Sequence, residues 1–251
     1  MVETLNKTGR VAWQISHLED YGQRVERAAR RLKEISRDRD LAALVIYEAV
    51  LARSGRAAEE VRGLLRSFRE TFEEEDEPLS IPRVSGIMEV EGDRWFFGDA
   101  DLRRLAGQLL GQFQHRVAQY NYLDEREVLR RWADSEDTKV FIRRHIPDTE
   151  PVAGIVPGVD LRMLQYLRVA AGGNTVLPSE LLAAALGSLW GQPQDDYEVI
   201  AAVEELAFNL ELPAPLVALM LEEMAEGGMP ALPDYTGEDE QAGDESQPLP
   251  E

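Results

Sequence analysis

Apolar residues recur at three- and four-residue intervals along most of this chain, the spacing that places side chains on one face of an α-helix. Residues 57–72 show the pattern clearly, with apolar positions at Val61, Leu64, Leu65, Phe68 and Phe72. Residues 41–53 are apolar nearly all round, which is typical of a central core helix. The same spacing predicts helices over 13–35, 100–120, 124–133, 137–146, 159–171, 178–190, 195–210 and 214–226. The expected fold class is therefore mainly α.

Residues 87–97 depart from this spacing and predict a single β-hairpin. Gly92-Asp93 suits a two-residue turn, and strand-forming residues flank it on both sides. Alternation about that turn places four apolar residues on one face: Met88, Val90, Trp95 and Phe97. Glu91 and Arg94 then form an opposite-charge pair across the strands. We expect one face of the hairpin to be buried and the other to face water.

Three helices followed by this hairpin, over residues 13–98, match the element order of a winged helix-turn-helix. In that arrangement 57–72 is the recognition helix and 87–97 is the wing. In size, acidity and element order the chain is similar to tandem winged-helix subunits of chromosome-organising and transcription complexes. The resemblance implies a winged-helix-like N-terminal lobe in a protein that belongs to a DNA-handling assembly.

Charge divides the chain into two unequal parts. Residues 1–146 carry 27 acidic and 25 basic side chains, whereas residues 147–251 carry 20 acidic and 2 basic ones. The change coincides with the proline-rich segment 147–158, which predicts a linker. We therefore expect two helical lobes, a winged-helix-like one over 1–146 and an acidic four-helix one over 159–228. Residues 229–251, with seven acids and no base, are expected to form a disordered acidic tail.

Composition argues against several classes of function. The chain has no cysteine, which excludes disulfides and thiolate metal sites and favours a cytoplasmic location. It has no apolar run of about 18 residues, so no membrane span is expected, and its N-terminus does not resemble a signal peptide. The acidic half repels phosphate, so nucleic-acid contact is expected only through the N-terminal half.

Two basic helices in that half are the candidates for DNA or partner contact. Arg62, Arg66 and Arg69 follow one face of 57–72, and Lys139, Arg143 and Arg144 cluster in 137–146. Acidic neighbours neutralise the first group, and the helix dipole favours basic residues at the end of the second helix. The tip of the predicted wing, Glu91 to Arg94, also lacks the cationic surface that a DNA-binding wing needs. Protein contact is therefore favoured over DNA contact.

Apolar helix and hairpin faces are the candidates for contact with a partner protein. Leu216, Met220 and Met224 recur at helical spacing in 214–226, and Trp95 lies on the apolar face of the predicted hairpin. Faces that carry methionine adapt to several partners, but they are also common in ordinary cores. The spacing therefore favours ordinary core, and partner contact stays open as the alternative.

No catalytic, cofactor-binding or metal site is predicted. The three histidines lie far apart in the sequence, and no phosphate-loop, nucleophile-elbow or zinc-protease motif occurs. Nothing places a nucleophile beside a base, or pairs carboxylates in a setting that shifts their pKa values. We therefore expect that the protein is not an enzyme.

These patterns favour a non-enzymatic adaptor or accessory subunit that binds a protein partner within a DNA-handling complex. Two alternatives stay open: a helical chaperone for one client, such as a phage structural protein, and a winged-helix DNA-binding regulator. A regulator predicts binding that weakens steeply with salt. A chaperone predicts binding through apolar surface with little salt dependence, and an adaptor predicts a stable stoichiometric complex.

Overall fold

The structure, a computed structural model, describes residues 7–120, 122–134 and 150–235. Within these residues the chain forms eleven α-helices and no β-strand. The helices are α1 (Lys7–Ser16), α2 (Tyr21–Ser36), α3 (Ala42–Arg53), α4 (Ala58–Phe72), α5 (Ile81–Trp95), α6 (Ala100–Gln119), α7 (Glu125–Ala133), α8 (Leu161–Ala170), α9 (Glu180–Trp190), α10 (Asp196–Asn209) and α11 (Ala214–Glu226). The prediction of a mainly α fold is confirmed. In the described part of the chain, no helix is long and apolar enough to cross a membrane.

The predicted hairpin over 87–97 is wrong, and with it the winged-helix-like lobe, because α5 runs through this segment. Pro82 occupies the first turn of α5, where a missing N–H costs little. The Ser80 hydroxyl caps the helix by accepting a hydrogen bond from the Arg83 N–H at 3.4 Å. The buried face of α5 carries Ile81, Val84, Met88, Gly92 and Trp95, at helical spacing.

Val90 and Phe97 distinguish the two interpretations of this segment. A strand and a helix both place Met88 and Trp95 on the buried side, but only a strand also buries Val90 and Phe97. In the structure Val90 is 85% exposed and Phe97 is 49% exposed. Gly92 does not turn the chain; it lies within the helix, and the absence of a Cβ there makes room for the Arg103 side chain of α6.

Helix α3 lies at the centre of the core, as predicted for 41–53. Every residue from Ala42 to Leu51 is buried, and α4, α5, α6, α7 and α8 pack around the helix. The Tyr47 hydroxyl donates a hydrogen bond to the carbonyl oxygen of Trp95 at 2.9 Å. The Tyr47 ring packs against Phe68 and Phe96. These contacts hold the end of α5 against α3 and α4.

The C-terminal helices pack directly on the N-terminal ones. Helix α11 lies against α2, α10 against α1 and α8 against α3, so buried residues of both halves belong to one hydrophobic cluster. Of the predicted linker, 147–149 lie outside the described residues, whereas 150–158 contribute Val152, Ala153 and Val156 to this cluster. Whether 1–146 and 159–228 can fold as separate lobes stays a prediction.

The start of the predicted tail packs on α1. Met229 and Leu232 are partly buried against the core, and the Gln14 side chain donates a hydrogen bond to the carbonyl oxygen of Pro233 at 2.8 Å. Residues 229–235 therefore have a defined place in the fold. Residues 236–251 lie outside the described residues.

Candidate functional site

The apolar residues predicted as partner contacts are covered by the protein's own helices. Trp95, Leu216, Met220 and Met224 are all buried. Helix α11, which carries the last three, packs against α2, α9 and α10. Trp95 packs edge-on against the rings of Phe68 and Phe72. In this structure the four side chains are core and form no exposed binding face.

The predicted basic stripe of α4 remains at the surface, but its members differ. Arg62 and Arg66 are exposed. Arg69 donates hydrogen bonds to both carboxylate oxygens of Asp40 at 2.9 and 2.8 Å and also pairs with Glu73. These hydrogen bonds raise the pKa of Arg69, so this arginine is occupied within the protein. Lys139, Arg143 and Arg144 lie outside the described residues.

A cleft opens where the end of α3 meets the start of α6, and we refer to it as the α3–α6 cleft. Its volume is about 480 Å³. Its lining comes from three parts of the chain: Arg53 and Ser54; Asp99, Asp101, Leu102, Arg104 and Leu105; and Pro157 and Gly158. The Asp99 carboxylate caps α6 by accepting hydrogen bonds from the N–H groups of Asp101 and Leu102, both at 3.0 Å. Asp99 therefore both caps α6 and forms part of the cleft wall.

The charges around the cleft are already paired with one another. Arg53 pairs with Asp160 at 2.6 Å, and Arg104 pairs with Asp101 at 2.6 Å. Leu102 and Leu105 contribute buried apolar surface between these pairs. The cleft therefore offers apolar contact together with both donors and acceptors, without a strong excess of one charge.

Phe97 lies in the turn between α5 and α6, two residues before the Asp99 wall. Its φ angle is +57°, in the left-handed region that residues with a Cβ rarely adopt. The turn is a helix end of the Schellman type, in which the Gly98 N–H donates to the carbonyl oxygen of Asp93 at 2.8 Å. Phe97 thus occupies the position that glycine usually takes in such a turn.

Arg56 covers one face of the exposed Phe97 ring. The guanidinium carbon of Arg56 lies 3.8 Å from the ring centroid, within the range of a cation–π contact. The Arg56 side chain also pairs with Glu60 one helical turn along α4. Its Nε atom is covered and has no hydrogen-bond partner in the described part of the chain. Arginine, glutamate and aromatic ring together form what we call the open triad.

A second group of arginine, glutamate and an aromatic residue, here a tyrosine, lies in the interior between α3 and α8. Arg39 donates hydrogen bonds to both carboxylate oxygens of Glu48, at 3.0 and 2.8 Å, and the Tyr166 hydroxyl donates to Glu48 at 2.8 Å. The guanidinium carbon of Arg39 lies 5.8 Å from the Tyr166 ring centroid. Burial raises the pKa of Tyr166, and the Glu48 charge raises it further, so the hydroxyl keeps its proton and donates. We call this group the closed triad.

Two further buried charges also serve the fold. Glu150 accepts hydrogen bonds from the Trp132 indole at 2.9 Å and from the N–H groups of residues 152–154. Arg168 donates to the carbonyl oxygen of Ala133 at 3.2 Å and to Gln165 at 2.7 Å. Burial lowers the pKa of Arg168 to about 10, so it stays cationic at neutral pH. Both charges join the turn after 150 and α8 to the end of α7.

Sequence reasoning missed the α3–α6 cleft because its walls are distant in the sequence. The predicted hairpin places Phe97 on a buried face. In the structure Phe97 instead lies at the end of a helix, where it is exposed, and this position can be predicted only if α5 is predicted first. Among the described residues, no group of histidine, aspartate and glutamate side chains is arranged to hold a metal ion. In comparisons with known proteins, the chain matches no protein-family model, no curated protein and no solved structure.

Proposed function

We propose that the protein is a non-enzymatic adaptor that binds a segment of a partner protein in the α3–α6 cleft and over the adjoining turn before Asp99, where Phe97 is the exposed apolar contact. The observation that carries the proposal is the state of Phe97. Its ring is half-exposed, and its backbone is held in a conformation that costs about 1–2 kcal/mol for a residue with a Cβ. Glycine fills such a turn without that cost. A costly exposed ring is expected where binding uses the ring.

The size and charge of the cleft favour a protein segment as its occupant. A volume of about 480 Å³ lies within the range of about 300–1,000 Å³ that is typical of ligand pockets, and it accommodates a few side chains. Because Arg53 and Arg104 are already paired with carboxylates, the cleft suits a segment of mixed polarity better than a polyanion. Aromatic and arginine side chains are enriched in the cores of protein interfaces.

The alternative hypotheses have less support in the described residues. The hypothesis of a DNA-binding regulator depends on a wing at 87–97, but these residues belong to α5 and the turn after it. The chaperone hypothesis depends on an exposed apolar face, but that of α11 packs on the protein's own helices. Membership of a DNA-handling complex stays a prediction, since the described residues offer no observation that supports it.

The experiment compares partner capture by the full-length wild-type protein and by the Phe97→Gly variant. Each tagged protein is purified from nuclease-treated lysate of the native host, and the co-purifying proteins are quantified by mass spectrometry. The glycine variant removes the ring and relieves the backbone strain, so the fold is retained. We expect one partner in fixed ratio with the wild-type protein and its loss with Phe97→Gly.

The end of α10 provides matched controls. There Glu211 occupies the same left-handed position, at φ +55°, and the Leu212 N–H donates to the carbonyl oxygen of Ala207 at 3.0 Å. Glu211→Gly relieves the same strain without removing a ring, and Phe208→Ala removes a ring that is 83% exposed. Both variants should keep the partner. The proposal is wrong if Phe97→Gly keeps it in unchanged amount, or if Phe208→Ala loses it instead.

A further inference from the structure

Helix α2 presents a row of cations to solvent, and this row is independent of the α3–α6 cleft. Ala28 is the one buried residue of α2. On the face opposite Ala28, the C-terminal part of α2 carries Arg30 and Lys33, and the C-cap residue Arg37 follows. Their three- and four-residue spacing places the three in one row, which we call the α2 stripe. All three are exposed, and no carboxylate of the described residues pairs with them. The row can therefore accept an external anion.

Two other arginines of α2 are paired, whereas Arg31 is exposed like the stripe but lies on a different face of the helix. Arg24 pairs with Asp20 at 2.7 Å, and Arg27 pairs with Glu223 at 2.6 Å. Glu26 and Glu34 lie on α2 beside the stripe without pairing to it. The helix dipole favours cations in the last turn of a helix, but Arg30 lies too far from the end of α2 for this effect. The dipole thus leaves Arg30 unexplained, and among the described residues none of the three cations has an acidic partner, in a chain of net charge −20.

The described chain ends against α1, the helix that precedes α2. Tyr235 packs edge-on against Trp13, with ring centroids 5.2 Å apart, and the guanidinium carbon of Arg10 lies 5.7 Å from the Tyr235 ring centroid. Helix α1 ends at Ser16 and α2 begins at Tyr21. Segment 236–251 therefore begins at α1, and only residues 17–20 separate the end of α1 from the start of α2.

Length and charge match segment 236–251 to the α2 stripe. The segment has sixteen residues, with six acids and no base, and spans at most about 55 Å when extended. Helix α2, with 16 residues, is about 24 Å long. Five of the acids lie within 238–245, so they can reach all three cations of the stripe.

We propose that the α2 stripe is a docking surface for an acidic peptide, and that segment 236–251 of the same molecule occupies it. Each ion pair at such a surface is individually weak and screened by salt. The covalent connection at Tyr235 compensates, because it keeps the segment at millimolar effective concentration beside the stripe. An acidic partner segment that binds α2 must displace the chain's own acids first.

Lys33 allows the contact to be measured in the full-length protein. The chain has three lysines, Lys7, Lys33 and Lys139, and a carbodiimide joins a lysine amine directly to a carboxylate that touches it. The protein is treated at low salt, and the joined peptides are identified by mass spectrometry. We expect Lys33 to be joined to the acids of 238–245, and this product to disappear at about 1 M salt, where the screening length falls to about 3 Å.

Two controls separate docking from chance encounter. Arg30→Gln with Arg37→Gln keeps the reactive Lys33 but removes its charged neighbours, so the yield of the Lys33 product should fall severalfold. Arg62→Gln with Arg66→Gln removes two exposed arginines of α4 and should leave the yield unchanged. Mixing ¹⁵N-labelled and unlabelled protein shows whether the joined peptides come from one molecule.

Three results overturn the proposal. The first is a Lys33 product no more abundant than the Lys7 product, and the second is a yield that Arg30→Gln with Arg37→Gln leaves unchanged. The third is a product that joins labelled to unlabelled chains, since this places the acids on a second copy. Binding of a partner in the α3–α6 cleft is unaffected by any of these results.

Discussion

The closed and open triads each combine an arginine, a glutamate and an aromatic ring, tyrosine in the closed triad and phenylalanine in the open one, in opposite surroundings. In the closed triad, Arg39, Glu48 and Tyr166 are largely covered, and the Glu48 carboxylate accepts hydrogen bonds from both partners. In the open triad, the Glu60 side chain is 48% exposed and the Phe97 ring 49%. The ring of the closed triad lies in a regular helix, whereas Phe97 has a left-handed backbone. The same chemistry is thus enclosed at one place and displayed at the other.

This difference indicates what each triad does. The closed triad joins α8 of the C-terminal half to α3 and to the turn before it, and Arg126 of α7 strengthens the junction by donating to the carbonyl oxygen of Arg39 at 2.9 Å. Buried charges of this kind are costly unless every partner is present. The open triad contributes little to the core, yet it retains backbone strain. We infer that the closed triad serves stability and the open triad serves binding.

The largest expected effect is that of Glu48→Ala in the closed triad. It leaves Arg39 covered without its carboxylate and removes the acceptor of the Tyr166 hydroxyl. Losing one partner of a buried ion pair costs about 3–5 kcal/mol, and we expect the free energy of unfolding to fall by that amount in chemical denaturation. Glu70→Ala, at an exposed position of α4, is the control and should have little effect. Equal effects of the two variants would contradict the structural role of the closed triad.

Tyr166→Phe should have a smaller effect, because Glu48 keeps its two bonds from Arg39. The variant deletes one hydrogen bond to a charged group, which contributes about 1.5 kcal/mol. Chemical denaturation checks the value, with Tyr122→Phe at a mostly exposed tyrosine as the control. A Tyr166→Phe variant as stable as the control would show that Arg39 alone satisfies Glu48.

Phe97→Ala and Phe97→Gly together measure the backbone strain of the open triad. Both remove the ring, but only glycine adopts φ +57° without steric cost. We expect the glycine variant to be the more stable of the two by about 1 kcal/mol. At Val90, an exposed position inside α5, the order should reverse, with alanine more stable than glycine by about 1 kcal/mol. Chemical denaturation of the four variants measures which residue, glycine or alanine, is the more stable at each site. If alanine were the more stable at both sites, the backbone of Phe97 would be unstrained.

Most of the fold could be predicted from the sequence, because most helices here carry a regular apolar stripe and clear end signals. The prediction of 57–72 and the structure of α4 (Ala58–Phe72) differ by one residue, and 214–226 agrees with α11. The prediction for 87–97 was wrong for two reasons. The Gly92-Asp93 pair is suited to a β-turn, and Met88 and Trp95 lie on the buried side in either a strand or a helix. The sequence does carry a start signal for α5, Ser80 followed by Pro82.

The candidate site could not be predicted in the same way, since it depends on contacts between distant parts of the chain. Arg56 meets Phe97 only when the segment before α4 packs near the end of α5, and Arg53 meets Asp160 only when α8 packs on α3. The spacing of apolar residues also does not show whether a neighbouring helix buries them. Met220 and Met224 are therefore candidate contacts in the sequence, but the packing of α11 on α2 places them in the core. What the sequence did indicate is the charge asymmetry between residues 1–146 and residues 147–251.

The smallest expected effect is that of Glu60→Ala in the open triad, the counterpart of Glu48→Ala. Glu60 lies in the first turn of α4 and pairs with Arg56, which precedes the helix by two residues. Exposed pairs with this i, i+4 spacing contribute about 0.3–0.5 kcal/mol. The loss should vanish at about 1 M salt, where screening removes the pair, whereas the loss from Glu48→Ala should persist because water and ions do not reach that carboxylate. Denaturation of both variants at low and high salt measures the contrast. If Glu60→Ala were as costly as Glu48→Ala, the open triad would be part of the core, and the strain at Phe97 would no longer indicate binding.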